Sequence, residues 1–171
     1  SPSVINYIYN TNNLPLGNLD SFYSTQYGTI HIEGWAFDWD RVTANDVGLD
    51  IVFNPETSSE VWLSRVHANG VYRPDVENVY KGAGNYHGFE LEFDVAQRGT
   101  FEFWIFAIGD KHNPGVYWDA TRIGMGTITI SAEYAKSISL DKSDIILAVN
   151  QTEPLSVRNF FPSDTINKSV T

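Results

Sequence analysis

Apolar and polar side chains alternate along most of this chain at the two-residue period that sends every second side chain to the same face of a β-strand. In the stretch from Thr29 to Phe37, Ile30, Ile32 and Ala36 share one face, and His31, Glu33, Trp35 and Phe37 share the other. Val47 to Phe53 alternates again, with Leu49, Ile51 and Phe53 opposite Gly48, Asp50 and Val52. Glu60 to Ala68 predicts a further strand that ends at the turn pair Asn69-Gly70. Phe89 to Val95 is apolar on one face and acidic on the other, as in an antiparallel strand with one wet face. Phe101 to Ile108 and Gly124 to Ile130 follow, and the half from Phe103 to Ile108 is apolar on both faces, which predicts a central strand. Upstream, Val4 to Tyr9 predicts a short strand, followed by an Asn-rich break with Pro15 and Gly17.

One helical turn interrupts the strands. Asp75 follows Pro74 and is placed to cap the amides of Val76 to Tyr80, and Gly82 and Gly84 then end the turn. About seven short strands with turn signals between them predict an all-β chain built as an antiparallel β-sandwich. After Ser131 the character changes: Glu133 to Lys136 is a short linker, and Ile138 to Leu147 begins a second β unit.

Composition narrows the function more than the fold. The chain has 171 residues, 42% of them hydrophobic and 14% aromatic, enough for a packed core. Its net charge of -10 and the lack of any basic cluster argue against nucleic acid or an anionic membrane surface as partner. There is no cysteine, which excludes disulfides, thiol catalysis and Cys-ligated metal. No apolar run nears the roughly 20 residues that span a bilayer, so membrane insertion is not expected. The start at Ser1-Pro2-Ser3 does not read as a signal peptide, so any export signal is expected upstream.

The aromatic residues carry the candidate chemistry. Sugars present flat C–H faces that stack on aromatic rings while Asp, Asn and Arg supply hydrogen bonds around the edge. Trp35 and Trp104 lie inside strands and are expected in the core; Trp39 and Trp118 fall in polar loops. Trp39, Trp118, Tyr117, Asp38 and Asp119 are therefore the candidate ligand-binding residues. Asp38 and Asp40 are candidate Ca²⁺ ligands, although no helix-loop-helix calcium spacing is present and solvated acidic loops are the default reading. Arg73 and Asp75 read as structural, with Arg73 placed to pair with Asp38 or Asp20; Gly34, Trp35, Gly88 and Phe89 read as structural too. The four histidines are spread out, without H-E-x-x-H spacing, a G-x-S-x-G elbow or a phosphate-cradling glycine loop. No catalytic constellation or cofactor is expected.

Two resemblances add to this. The segments Ile138-Ser-Leu-Asp-Lys-Ser-Asp144, Gln151-Thr-Glu-Pro-Leu155 and Phe161 to Thr171 resemble the opening of a bacterial immunoglobulin-like domain of group 2, with Asn150 where that family usually carries Gly. Gly17 to Ser21, Ile32 to Asp38, Asn69 to Val76, Tyr86 to Phe89 and Phe103 to Ile108 resemble a β-sandwich module of extracellular Gram-positive bacterial proteins, among them cell-wall hydrolases and peptidases. These resemblances imply a bacterial, secreted or cell-surface, multidomain parent. The expected organisation is an N-terminal strand or leader over 1–16, a sandwich over 17–131, a linker over 132–136 and a partial immunoglobulin-like unit over 137–171. Such a partial unit is expected to pack on the first domain, pair with another copy or belong to a longer chain. The expected function is a non-catalytic module binding a glycan or cell-wall polymer, with other domains of the parent chain as partners. The alternatives are a stalk without ligand and a hydrolase, for which a pocket joining a His to two carboxylates would be the sign.

Overall fold

The computed structural model of the chain describes residues 13–63, 65–109, 119–147, 149–161 and 163. The strand expected over residues 4–9 lies outside them. Two antiparallel sheets pack face to face, as the alternation predicts. The smaller has the order β1 (Leu16–Ser24), β2 (Thr29–Phe37), β6 (Gly88–Asp94). The larger runs β4 (Val61–Trp62), β3 (Gly48–Phe53), β7 (Gly99–Ile108), β8 (Ala120–Ile130), and β5 (Val66–His67) also pairs with β3.

The core lies between the two inner faces. Ile30 and Ile32 of β2, Leu49, Ile51 and Phe53 of β3, Phe89 of β6, Phe103 and Ile105 of β7 and Ile128 and Ile130 of β8 are all buried there. Each such side chain contributes roughly 1.5–3 kcal/mol through the apolar surface it removes from water. Phe22 stacks on Phe103 with ring centroids 3.9 Å apart, and Phe53 stacks on Phe101 at 4.9 Å. Gly34 lies opposite Phe89 in the β2–β6 ladder, and a Cβ there would come within 2.6 Å of that ring and 2.2 Å of the Asn18 carbonyl oxygen.

Two strands differ from the sequence pattern. β1 falls where only a break was expected. Its register on β2 steps from Leu19↔Gly34 to Ser21↔Glu33, so Asp20 is an extra, bulged residue. The inward residues Leu19 and Phe22 therefore sit three apart, which hides the strand's period. The stretch from Glu60 to Ala68, expected as one strand, is broken into β4 and β5.

A second, smaller cluster covers part of the outer face of the smaller sheet. The helix α1 (Pro74–Val79) lays Val76 over Phe37, with Ala83, Trp35 and Tyr80 around them. The cap position of this helix is Arg73 rather than Asp75, and the Arg73 Nε and Nη2 donate to the two Asp75 carboxylate oxygens at 2.9 and 2.7 Å. Of the two partners expected for Arg73, the structure shows Asp20. The chain leaves the helix through Gly82 and Gly84, both at positive φ, whose amides donate to the two oxygens of Glu77. Just before α1, Asn69 docks on the open side of β6, where its side-chain amide exchanges two 3.0 Å hydrogen bonds with the backbone of Glu90, and Val71 pairs with Gly88.

Beyond the sandwich, β9 (Ser137–Leu140) and β10 (Val157–Phe161) form an antiparallel pair. Its root meets the sandwich. The amides of Glu133 and Tyr134 donate to the Gln26 carbonyl, and Lys136 reaches Glu92 at 3.4 Å and Asp94 at 3.6 Å. Asn150 has φ 68°, a left-handed conformation that Gly adopts freely and Asn tolerates better than most residues. Among the described residues, no helix is long and apolar enough to cross a membrane.

Candidate functional site

The outer face of the larger sheet is aromatic. Cross-strand register lines up Trp62 on β4, Val52 on β3, Trp104 on β7 and Met125 on β8 in one row, with Asp50, Phe106 and Arg122 in the next. Val52 is fully buried between its neighbours, while Trp62 stays 40% exposed and Met125 stays exposed. Trp104 therefore does not belong to the core, as its position inside a strand suggested. It points away from Phe103 and Ile105 onto the opposite face, because successive strand side chains alternate sides.

The rings of this face are held in fixed orientations. Trp62 Nε1 donates to Glu60 Oε1 at 2.7 Å, and the Glu56 amide donates to the other Glu60 oxygen at 2.7 Å. The Glu56 amide foremost, then the indole N–H, hold the Glu60 carboxyl below its ordinary value. Trp62 and Phe106 lie nearly parallel with centroids 6.3 Å apart, and the Arg122 guanidinium stands 4.5 Å from the Trp104 ring centroid. Arg65 grips Asp50 through two hydrogen bonds of 2.7 and 2.9 Å, and this bonding raises the affinity of its guanidinium for its proton. Val52, Pro55, Glu56, Glu60, Trp62, Trp104 and Phe106 together line a groove of about 320 Å³. An apolar floor with carboxylates and guanidinium groups at its margins is the surface that a sugar ring stacks on.

The candidates read from the loops sit differently. Trp39 is 36% exposed and turns its ring edge-on to Phe37 at 5.0 Å, so part of it anchors the smaller cluster. Asp38 and Asp119 are fully buried, contrary to their reading as solvated contact residues. Asp38 caps the 3-10 turn Trp39–Arg41 by accepting the Asp40 amide at 2.9 Å, and the Asp119 carbonyl accepts the Gly109 amide at 2.8 Å. Of the two Ca²⁺ candidates, Asp40 accepts from Asn13 through both carboxylate oxygens, at 3.1 Å each. Tyr117 and Trp118 lie outside the described residues.

The outer face of the smaller sheet is acidic where α1 leaves it open. Glu33 and Glu90 stand directly opposite each other in the β2–β6 ladder, with His31 and Glu92 in the next row. His31 Nε2 lies 3.0 Å from Glu33 Oε1. A His and two carboxylates thus do converge, through a cross-strand pairing that spacing along the chain does not reveal. They lie on an open sheet face beside a small groove of about 170 Å³ rather than in a deep cleft.

No family model, curated protein or solved structure matches this chain. The functional reading rests on the two outer faces of the sandwich.

Proposed function

We propose that this chain is a non-catalytic module of a larger secreted or cell-surface bacterial protein, and that it binds a glycan such as a cell-wall polymer on the outer face of its larger sheet. The observation that carries the reading is the row of Trp62, Val52 and Trp104 with Phe106 beside it, turned away from a core that is already complete on the other side of the same strands. Large aromatic surface left on an outer sheet face favours association with something outside the molecule. The locked indole of Trp62 lowers the ordering cost of binding. Glu60, Asp50, Arg65 and Arg122 around the rings supply the acceptors and donors that sugar hydroxyls require. The extracellular setting draws support from the two resemblances.

A glycan array followed by pull-down on isolated bacterial cell walls tests this. Retention of the chain on a defined glycan is expected, with Trp62→Ala and Trp104→Ala each weakening it about tenfold, the scale of a lost ring contact. Trp39→Ala is expected to bind like the parent. Absence of any retained glycan, or a folded Trp62→Ala/Trp104→Ala double variant that binds as tightly as the parent, overturns the reading.

A further inference from the structure

We infer that His31, Glu33 and Glu90 form a binding site for one divalent transition-metal ion of the Zn²⁺ type on the open half of the smaller sheet's outer face. One ligand atom from each of the three side chains lies within 4.8 Å of the other two. The 3.0 Å between His31 Nε2 and Glu33 Oε1 already matches the spacing of neighbouring ligands whose bonds to a shared ion are about 2.0–2.2 Å. Glu90 is the exposed member of the three, and its carboxylate lies within the same 4.8 Å.

The three groups are held from outside. His31 and Glu33 stand two apart on β2 and so share a face, and strand register sets Glu90 opposite Glu33. The Tyr23 ring stacks on the His31 imidazole with centroids 4.8 Å apart and planes 21° apart, which fixes the ring plane and leaves the His31 side chain only 13% exposed. The Asn69 amide pins the backbone of Glu90 from the other side. Such support restricts the side chains before an ion arrives.

The electrostatics point the same way. Two glutamates directly opposite in an antiparallel ladder repel each other. The nearby cations are engaged elsewhere: each of the three Arg73 guanidinium nitrogens donates to Asp20 or Asp75, and Lys136 goes to Glu92 and Asp94. His31 is the basic group that reaches Glu33, and Arg73, which lines the same groove, is turned to Asp20 and Asp75. A bound dication removes the repulsion and uses the imidazole nitrogen as a ligand.

The donor set selects the ion. One imidazole nitrogen with two carboxylates and no sulfur suits Zn²⁺, Co²⁺ or Ni²⁺, whereas Ca²⁺ and Mg²⁺ prefer oxygen alone. Three protein ligands leave at least one position for water, and the groove lined by Asp20, Glu33, Val71, Arg73 and Glu90 has room for it.

Titration of the full chain with ZnCl₂ by calorimetry, and with CoCl₂ by visible absorption, tests the site. One equivalent is expected to bind at micromolar or tighter affinity, with Co²⁺ developing ligand-field bands and Zn²⁺ raising the melting temperature. His31→Ala and Glu90→Gln are each expected to weaken binding at least about tenfold and to abolish the thermal shift while melting cooperatively themselves. Asp144→Asn, on the hairpin unit, is expected to bind like the parent. The inference is overturned by an absence of saturable binding below millimolar ion, by Ca²⁺ binding as tightly as Zn²⁺, or by either ligand variant retaining parental affinity.

Discussion

Arg73 Nη1 donates to Asp20 Oδ2 at 2.7 Å, fastening the residue that precedes α1 to the extra residue of the bulge in β1. The same guanidinium grips Asp75, so one side chain ties an edge strand of the smaller sheet to the helix that covers part of its outer face. Arg73→Ala is expected to cost about 1–2 kcal/mol, because charge-assisted hydrogen bonds are lost at a partly exposed site. Arg73→Lys is expected to recover less than half of this, since a point-charge ammonium does not span two carboxylates as the planar fork does. Urea denaturation of the parent and both variants measures the differences.

Acid is expected to destabilise the fold through carboxylates whose native hydrogen bonds favour the charged form. The amides of Gly82 and Gly84 hold Glu77 below its ordinary value of 4.5. The Arg73 guanidinium lowers Asp75, and the Thr29 hydroxyl is the main cause of the lowering at Glu92. Depressed folded values mean that the stabilisation is present above the unfolded values and drains away as pH falls through the folded ones. The melting temperature is therefore expected to hold down to about pH 5 and to decline below it. Glu77→Gln is expected to start lower at neutral pH and to decline less steeply in acid, and a series of melts against pH for the two proteins reads the difference.

Much of the sandwich was legible in the sequence because an inner face made of every second residue announces itself, as in Ile30, Ile32 and Ala36 or in Leu49, Ile51 and Phe53. β1 was not legible. Its bulge at Asp20 puts Leu19 and Phe22 three apart, and a period of two does not survive an inserted residue. The aromatic face was half legible: the apolar run from Phe103 to Ile108 marked both sides of β7, but only the layer order shows that one of those sides faces outward. Asp38 and Asp119 carried no sign of their burial, since a buried aspartate and a solvated one look alike in a polar loop. The pairing of Glu33 with Glu90 depends on register across 57 positions and was out of reach of local spacing.

Two glycines separate a packing effect from a backbone effect. Gly34→Ala is expected to prevent stable folding or to cost more than about 3 kcal/mol, because the new methyl meets both a backbone oxygen and the Phe89 ring. Gly82→Ala meets nothing within 4 Å, and only its φ of 92° is unfavourable, so a loss of about 1–2 kcal/mol is expected. Thermal melts of the two variants, compared at equal concentration, separate the effects.

The β9–β10 pair contrasts with the sandwich in what it leaves in water. Ile138, Leu140, Ile146, Val149 and Leu155 are all exposed. A two-stranded ribbon with so little burial opens at low free-energy cost. Limited proteolysis is expected to cut first between residues 141 and 156 and to leave the sandwich intact. Mass spectrometry of the early fragments checks this, and first cuts inside β2, β3 or β7 would count against it.

The docking of Asn69 on β6 also bears on how these molecules behave when crowded. A bare strand margin invites a strand from a neighbouring molecule to zip onto it, the usual first step of sheet-to-sheet aggregation. With the Glu90 amide and carbonyl already taken by one asparagine side chain and Gly88 held by Val71, that side of the smaller sheet has no free ladder at these positions to offer. Copies brought close together can stand beside one another there without fusing into a continuous sheet.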